Sequence, residues 1–285
     1  MSSTILLSPL DLKALTDSEK PVIIDTRNPE SYETGHIPGA VNMHDIFTFL
    51  ATSTADGIAE LKEKFATAFG NAGLSGDETA VIYEDSMNTG FGQSCRGYFL
   101  LAYLGYPKIA ILHGGYQAWL SAGLPVSKAV ATPIAATFPL KDTGHELMID
   151  KDDVLSAIES DGPVLLDVRD VDEWIATSSS PYGVDFCPRK GRLPKARWIE
   201  WYRLMKPGAV ALFKEPEEIL AECASVGISK STPVYLYCFK GARASNTLVA
   251  LKSAGIEDVK LYFGSWNEWS RDPTLPIDEG LPYAS

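Results

Sequence analysis

The segment VIIDTR (22–27) returns as VLLDVR (164–169), and the echo continues in the same order along the chain. GHIPGAV (35–41) returns weakly as GRLPKAR (191–197), VIYED (81–85) as VYLYC (234–238), and HGGYQAW (113–119) as FGSWNEW (263–269). Each copy closes on a Leu-Pro pair, at 124–125 and 275–276. Widely spaced landmarks in one order describe a duplicated domain, not a solenoid of short stacked units. At 285 residues, each copy is long enough to bury a core of its own.

The copies are read as residues 1–126 and 146–285. Between them, 127–145 carries two prolines, many small residues and little periodicity, as a linker does. The runs VIID, AVIY and IAIL in the first copy match VLLD, PVYLY and VKLYF in the second. Because they are apolar throughout and do not alternate, they predict strands buried on both faces, hence a parallel sheet between helices. IAELKEKFATAFGNAG and EPEEILAECASVG read as helices, with Gly73 and Gly227 placed for left-handed caps. The fold class is α/β, in two tandem domains.

A net charge of −12 argues against nucleic acid as a partner, since cations meeting phosphates dominate that binding. One stretch reverses the sign: residues 189–206 hold seven cations against the single acid Glu200, either a solvated basic face or a surface that draws in anions. The four cysteines (95, 187, 223, 238) show no CxxC pair and no histidine at metal-ligand spacing. Neither a disulfide framework nor a metal is expected, and no cofactor is implied. No leader-like start and no membrane-length apolar run stand in the sequence, so the expected location is the cytoplasm.

The chemistry concentrates in YLYCFKGARASNTLVALKSAG (235–255). An apolar strand ends at Tyr237, and a helix is expected from about Ala242. Such a junction gathers backbone N–H groups into a hollow that favours an anion or thiolate. Cys238 opens the hollow and Arg243 closes it, with Gly241 free to make a tight turn. A helix N-terminus contributes about 0.3–1 kcal/mol to a nearby anion, up to ~2 when partly buried. Lys240 and Arg243, if they face inward, add to that, so no histidine base is needed.

These landmarks together resemble the rhodanese superfamily over nearly the whole chain: the Asp/Arg strand ends (Asp25 and Arg27, Asp167 and Arg169), GHIPGA, the loop 238–243 and GSWNEW. The resemblance implies a two-domain sulfurtransferase in which only the second domain is catalytic and Cys238 carries sulfur as a persulfide. It implies a substrate-binding loop of Phe239, Lys240, Gly241, Ala242 and Arg243, and it assigns Arg189, just before the GHIPGA-like segment, to the anion. Aligning VIYED with VYLYC puts Asp85 at the cysteine position of the first domain, while Cys95 is read as a structural thiol.

Arginine follows the cysteine after four residues, a shorter cradle than the five-residue spacing of cysteine phosphatases, which sets phosphatase and arsenate reductase activity behind sulfur transfer. Lys240 and Gly241 match the loops of thiosulfate enzymes, while Phe239 and Arg243 depart from them. Thiosulfate is thus the expected donor and a thiol or cyanide the acceptor, with 3-mercaptopyruvate or a protein-to-protein carrier role as alternatives. A protein acceptor is compatible with the loop. Ten positions separate Asp25 from Gly35 but twenty-four separate Asp167 from Gly191, an insertion of fourteen residues, roughly 175–188. Cys187 within it is a plain loop thiol or an accessory one. Trp266, Trp269 and the Asp167–Arg169 pair are expected to be structural.

Overall fold

The computed structural model describes residues 5–141 and 143–282; residue 142, inside the expected linker, and both chain ends lie outside the described residues. The chain divides into two units, Met1–Phe49 with Ala59–Thr143 and Lys206–Leu212, and Leu50–Ile58 with Gly144–Met205 and Phe213–Ser285.

In the first unit the strands are β1 (Leu6–Leu7), β2 (Val22–Asp25), β3 (Val41–Asn42), β4 (Ala80–Tyr83) and β5 (Ile109–Leu112), paired in parallel in the order β1-β5-β4-β2-β3. The helices are α1 (Pro9–Ser18), α2 (Pro29–Thr34), α3 (Asp45–Thr48), α4 (Ala55–Asn71), α5 (Gln93–Tyr103) and α6 (Gly115–Ser121). The second unit repeats the plan with β6 (Met148–Ile149), β7 (Val164–Asp167) and β8 (Arg197–Trp198) and, after a separate two-stranded ribbon of β9 (Met205–Lys206) and β10 (Leu212–Phe213) whose span Lys206–Leu212 counts with the first unit, with β11 (Val234–Tyr237) and β12 (Val259–Tyr262). Its main sheet is again parallel, in the order β6-β12-β11-β7-β8, flanked by α7 (Lys151–Glu159), α8 (Val171–Trp174), α9 (Pro216–Ala224), α10 (Ala242–Ser253) and α11 (Ser265–Trp269). The expected pair of α/β domains is thus present, with one strand order used twice.

The apolar runs form strands because both faces of each sheet are covered: every residue of β4 is buried, and all but the first of β7. Gly73 and Gly227 follow α4 and α9 at φ 96° and 71°, the left-handed caps expected of them. The Asp/Arg motif is a strand-end clamp in both units. Arg27 holds Asp25 at 2.6 Å and the Gly35 carbonyl at 2.8 Å, and Tyr83 donates to the same aspartate. Arg169 repeats it on Asp167 (2.7 Å) and the Gly191 carbonyl (2.8 Å), with Tyr237 as the third member. A tryptophan then fastens each closing segment, Trp119 to the Pro125 carbonyl (2.7 Å) and Trp269 to that of Pro276 (3.0 Å). Trp266 and Trp269 are fully buried, as packing residues should be. Among the described residues no helix is long and apolar enough to cross a membrane.

Candidate active site

In a parallel sheet the crevice lies outside the carboxyl ends of the strands, where the connections part in opposite directions. In the second unit that point falls between β7 and β11. Cys238 follows β11 directly. Its thiol is 1% exposed, and its Sγ accepts the Gly241 N–H at 3.1 Å. Gly241 is the N-cap of α10 at φ 90°. Only glycine fits there: an added Cβ would stand 2.8 Å from the Phe263 ring and 3.2 Å from the Phe263 carbonyl oxygen. Ala242, 3% exposed, opens the helix, and Ser245 Oγ donates to the Gly241 carbonyl at 2.7 Å.

Behind the loop, α11 holds the backbone. The Cys238 N–H donates to Ser265 Oγ (3.2 Å), while the Cys238 and Phe239 carbonyls accept from the N–H groups of Trp266 (3.0 Å) and Asn267 (2.9 Å). Cys238 thus sits on a braced turn with its sulfur directed at a helix N-terminus, an arrangement suited to an anionic sulfur.

The two loop cations are handled differently. Arg243, 4% exposed, places its NH1 and NH2 on the Glu173 carboxylate at 2.6 and 3.1 Å, with Asp170 Oδ1 3.1 Å from NH1. Burial works against the guanidinium charge, but Glu173 outweighs it, and the Cys238 sulfur and Asp170 act in the same direction, so the pKa is raised. The arginine expected to receive the donor is therefore turned toward α8, where it anchors the first turn of α10. Asp170, Asp172 and Glu173 bring three carboxylate oxygens within 4.8 Å of one another, and a guanidinium is the cation facing that group. Lys240 is 8% exposed, its Nζ 5.6 Å from the centre of the Tyr182 ring and 6.0 Å from that of Phe239.

Arg189, the other arginine assigned to the anion, places its guanidinium on backbone carbonyls. Nε donates to the Ser270 carbonyl (3.0 Å), NH1 to Leu275 (2.8 Å), and NH2 to Trp269 (2.8 Å) and Asp272 (2.5 Å). It gathers the turn after α11, and its own carbonyl takes the Trp266 indole N–H at 3.0 Å. Its neighbours in the basic stretch behave alike: Lys190 reaches the Thr177 carbonyl (2.8 Å), Arg192 that of Gly280 (2.8 Å) and Arg197 that of Val226 (2.6 Å). The seven cations read as a surface for anions include several that staple carbonyls across loops. Cys187 is fully buried under Phe239 and Trp266, and burial pushes its thiol up to about 11, the character of a core residue.

The first unit corrects the alignment by one residue. Tyr83 and Tyr237 pair with Asp25 and Asp167 in equivalent register, so Glu84, not Asp85, stands where Cys238 stands. The backbone agrees, for the Glu84 and Asp85 carbonyls accept from Tyr116 and Gln117 as those of Cys238 and Phe239 do from Trp266 and Asn267. Glu84 fills the hollow at the start of α5. Its carboxylate accepts from the N–H groups of Gly92 (3.2 Å) and Gln93 (3.0 Å) and from Ser94 Oγ (2.7 Å). Cys95 is fully buried, consistent with a structural thiol.

A rhodanese-like domain profile matches residues 8–122 and again 150–272. The chain belongs to the rhodanese family, as a tandem-domain sulfurtransferase. It is 31% identical over 256 residues to the sulfur carrier protein TtuD of Thermus thermophilus, covering 87% of each chain. It is 26% identical to the thiosulfate sulfurtransferase of Azotobacter vinelandii (97% of this chain, 98% of that one). With the 3-mercaptopyruvate sulfurtransferase of Escherichia coli the identity is 28%, over 89% and 87% of the two chains. Among solved structures, wild-type EanB superposes with a TM-score of 0.84 at 26% identity, over 98% of this chain and 70% of that one. In a variant of EanB, ergothioneine is covalently linked with a cysteine persulfide.

Proposed function

We propose that the protein moves sulfane sulfur from thiosulfate, through a persulfide on Cys238, to a thiol or cyanide. The Cys238 thiolate attacks the outer sulfur of thiosulfate; the S–S bond of the donor breaks, sulfite leaves with the bonding pair, and a persulfide anion remains. An acceptor thiolate or cyanide then attacks the terminal sulfur, and the Cys238 thiolate departs unchanged. The observation that carries this reading is the Gly241 N–H on Cys238 Sγ at the head of α10, which stabilises negative charge on that sulfur before and after transfer. Lys240 supplies the donor-side cation. Arg243 acts through the Glu173 pair by fixing the loop, and Arg189 by fixing the segment under Trp266.

A persulfide carrier that passes sulfur between proteins is the second reading, favoured by the likeness to TtuD and by the exposed Tyr182 and Phe186, whose rings pack on Phe239 of the loop. The test is steady-state transfer to cyanide from thiosulfate and from 3-mercaptopyruvate, with intact mass of the treated protein. The expected result is one added sulfur, a mass gain of about 32 Da, absent in Cys238→Ala, with thiosulfate the better donor. Loading that survives Cys238→Ala overturns the mechanism, a preference for mercaptopyruvate reassigns the donor, and loading without turnover selects the carrier reading.

A further inference from the structure

The insertion ahead of Gly191 brings two aromatic rings onto the cysteine loop. Tyr182 and Phe186 lie 5.4 Å apart, centre to centre, and approach Phe239 at 5.2 and 6.4 Å. Phe239 and Lys240 are 3% and 8% exposed, whereas Tyr182 (48%) and Phe186 (41%) keep an outer face in solvent. The segment is braced: the Tyr182 N–H donates to Ser180 Oγ (3.2 Å), Ser180 Oγ to the Gly183 carbonyl (3.0 Å), and Arg271 to the Phe186 carbonyl (2.7 Å).

An aromatic face attracts an ammonium through its quadrupole within about 6 Å while carrying no net charge of its own. The Tyr182 and Phe239 centroids stand 5.6 and 6.0 Å from Lys240 Nζ, and Phe186 packs on both rings. We propose that Tyr182 and Phe186 are specificity-determining residues: they hold Lys240 against the ring cluster of the cysteine loop and so set the loop's preference for anionic reagents, dianionic thiosulfate above monoanionic donors. The donor half of this inference rests on the sulfur-transfer reading above; the charge half does not.

The experiment uses the full chain with Tyr182→Ala, Tyr182→Phe and Phe186→Ala. Both positions are half in solvent, so truncation spares the core, and thermal unfolding checks this. Cys238 is alkylated with iodoacetate and with iodoacetamide, the site being mapped by peptide mass, and KM and kcat are measured with each sulfur donor. Tyr182→Ala is expected to lower the iodoacetate-to-iodoacetamide rate ratio about fivefold to thirtyfold, equivalent to about 1–2 kcal/mol, and to raise KM for thiosulfate by a similar factor. Phe186→Ala is expected to act in the same direction, kcat to hold within about twofold, and Tyr182→Phe to restore both quantities. In a Lys240→Met background the Tyr182→Ala change should do nothing to the ratio, which a merely structural role for Tyr182 would not produce. A ratio that does not move in Tyr182→Ala overturns the inference, even in a protein that loads sulfur readily. A ratio that falls in a protein that takes no sulfur from thiosulfate overturns the donor reading and leaves the placement of Lys240 standing.

Discussion

Replacing Glu173 by glutamine removes the charge that faces Arg243 and changes little else in shape. Both groups are buried, 1% and 4% exposed, and are joined by two hydrogen bonds of 3.1 and 2.6 Å. Taking away one partner of such a pair costs about 3–5 kcal/mol, mostly because the remaining charge is stranded. Two features of the site lower that figure: glutamine keeps one acceptor oxygen, and the Asp170 carboxylate stays within 3.1 Å of the guanidinium. A loss of about 2–3 kcal/mol is therefore expected for Glu173→Gln, and about 3–4 for Arg243→Met, which strands Glu173. The joint variant strands neither, and should cost much less than the sum.

Urea unfolding followed by tryptophan fluorescence suits the measurement, because five of the six tryptophans lie beyond residue 170 and report the second unit. With an m-value of about 2 kcal/mol per molar, Glu173→Gln should shift the midpoint by about 1–1.5 M. A single loss below about 1 kcal/mol, or a joint variant equal to the sum of its parts, would refute the claim that this pair anchors the cysteine loop.

Two further outcomes follow from the buried groups. Burial pushes the Glu84 carboxyl up to about 8, against the hydrogen bonds from Ser94, Gln93 and Gly92, while the unfolded chain ionises near 4.5. The folded state therefore holds the extra proton between those values, so stability is full below about 4.5, declines as pH rises, and levels off above about 8. Glu84→Gln should flatten that slope, gaining on the wild type by on the order of 1–4 kcal/mol between pH 5 and 8.5; parallel pH profiles from chemical unfolding would contradict it. Cys187, fully buried with its thiol pushed up to about 11, should resist iodoacetamide in the native protein, and Cys187→Ala should load sulfur at Cys238 undiminished. A persulfide mapped to Cys187 would defeat that assignment.

The duplication, the parallel sheets and the cysteine junction were legible because each leaves a local trace: an apolar run, a capping glycine, a repeated Asp-x-Arg. The register of the degenerate loop was not. VIYED and VYLYC align in two ways as strings, and only the pairing of Tyr83 opposite Asp25 decides for Glu84. The partners of the loop residues were also hidden, since they come from distant segments: Glu173 is seventy positions from Arg243. A trace of it existed in the acids Asp170, Asp172 and Glu173, crowded in sequence, and in Arg243, a cation set against the dipole in the first turn of a helix. Tyr182 and Phe186 carried no such sign, because an insertion has no counterpart in the other copy to compare with. The four carbonyls that accept from Arg189, those of Ser270, Leu275, Trp269 and Asp272, were hidden for the same reason, lying about eighty positions away.

Glu84 gives the two hollows different occupancies for good. The Glu84 carboxyl group, tied to the chain and hydrogen-bonded by Gly92, Gln93 and Ser94, occupies its own hollow as a bound ligand at very high effective concentration. The first hollow is filled by a side chain of the first unit itself. On that account the sulfur-transfer proposal expects one sulfur loaded per molecule from a chain built of two copies of one fold.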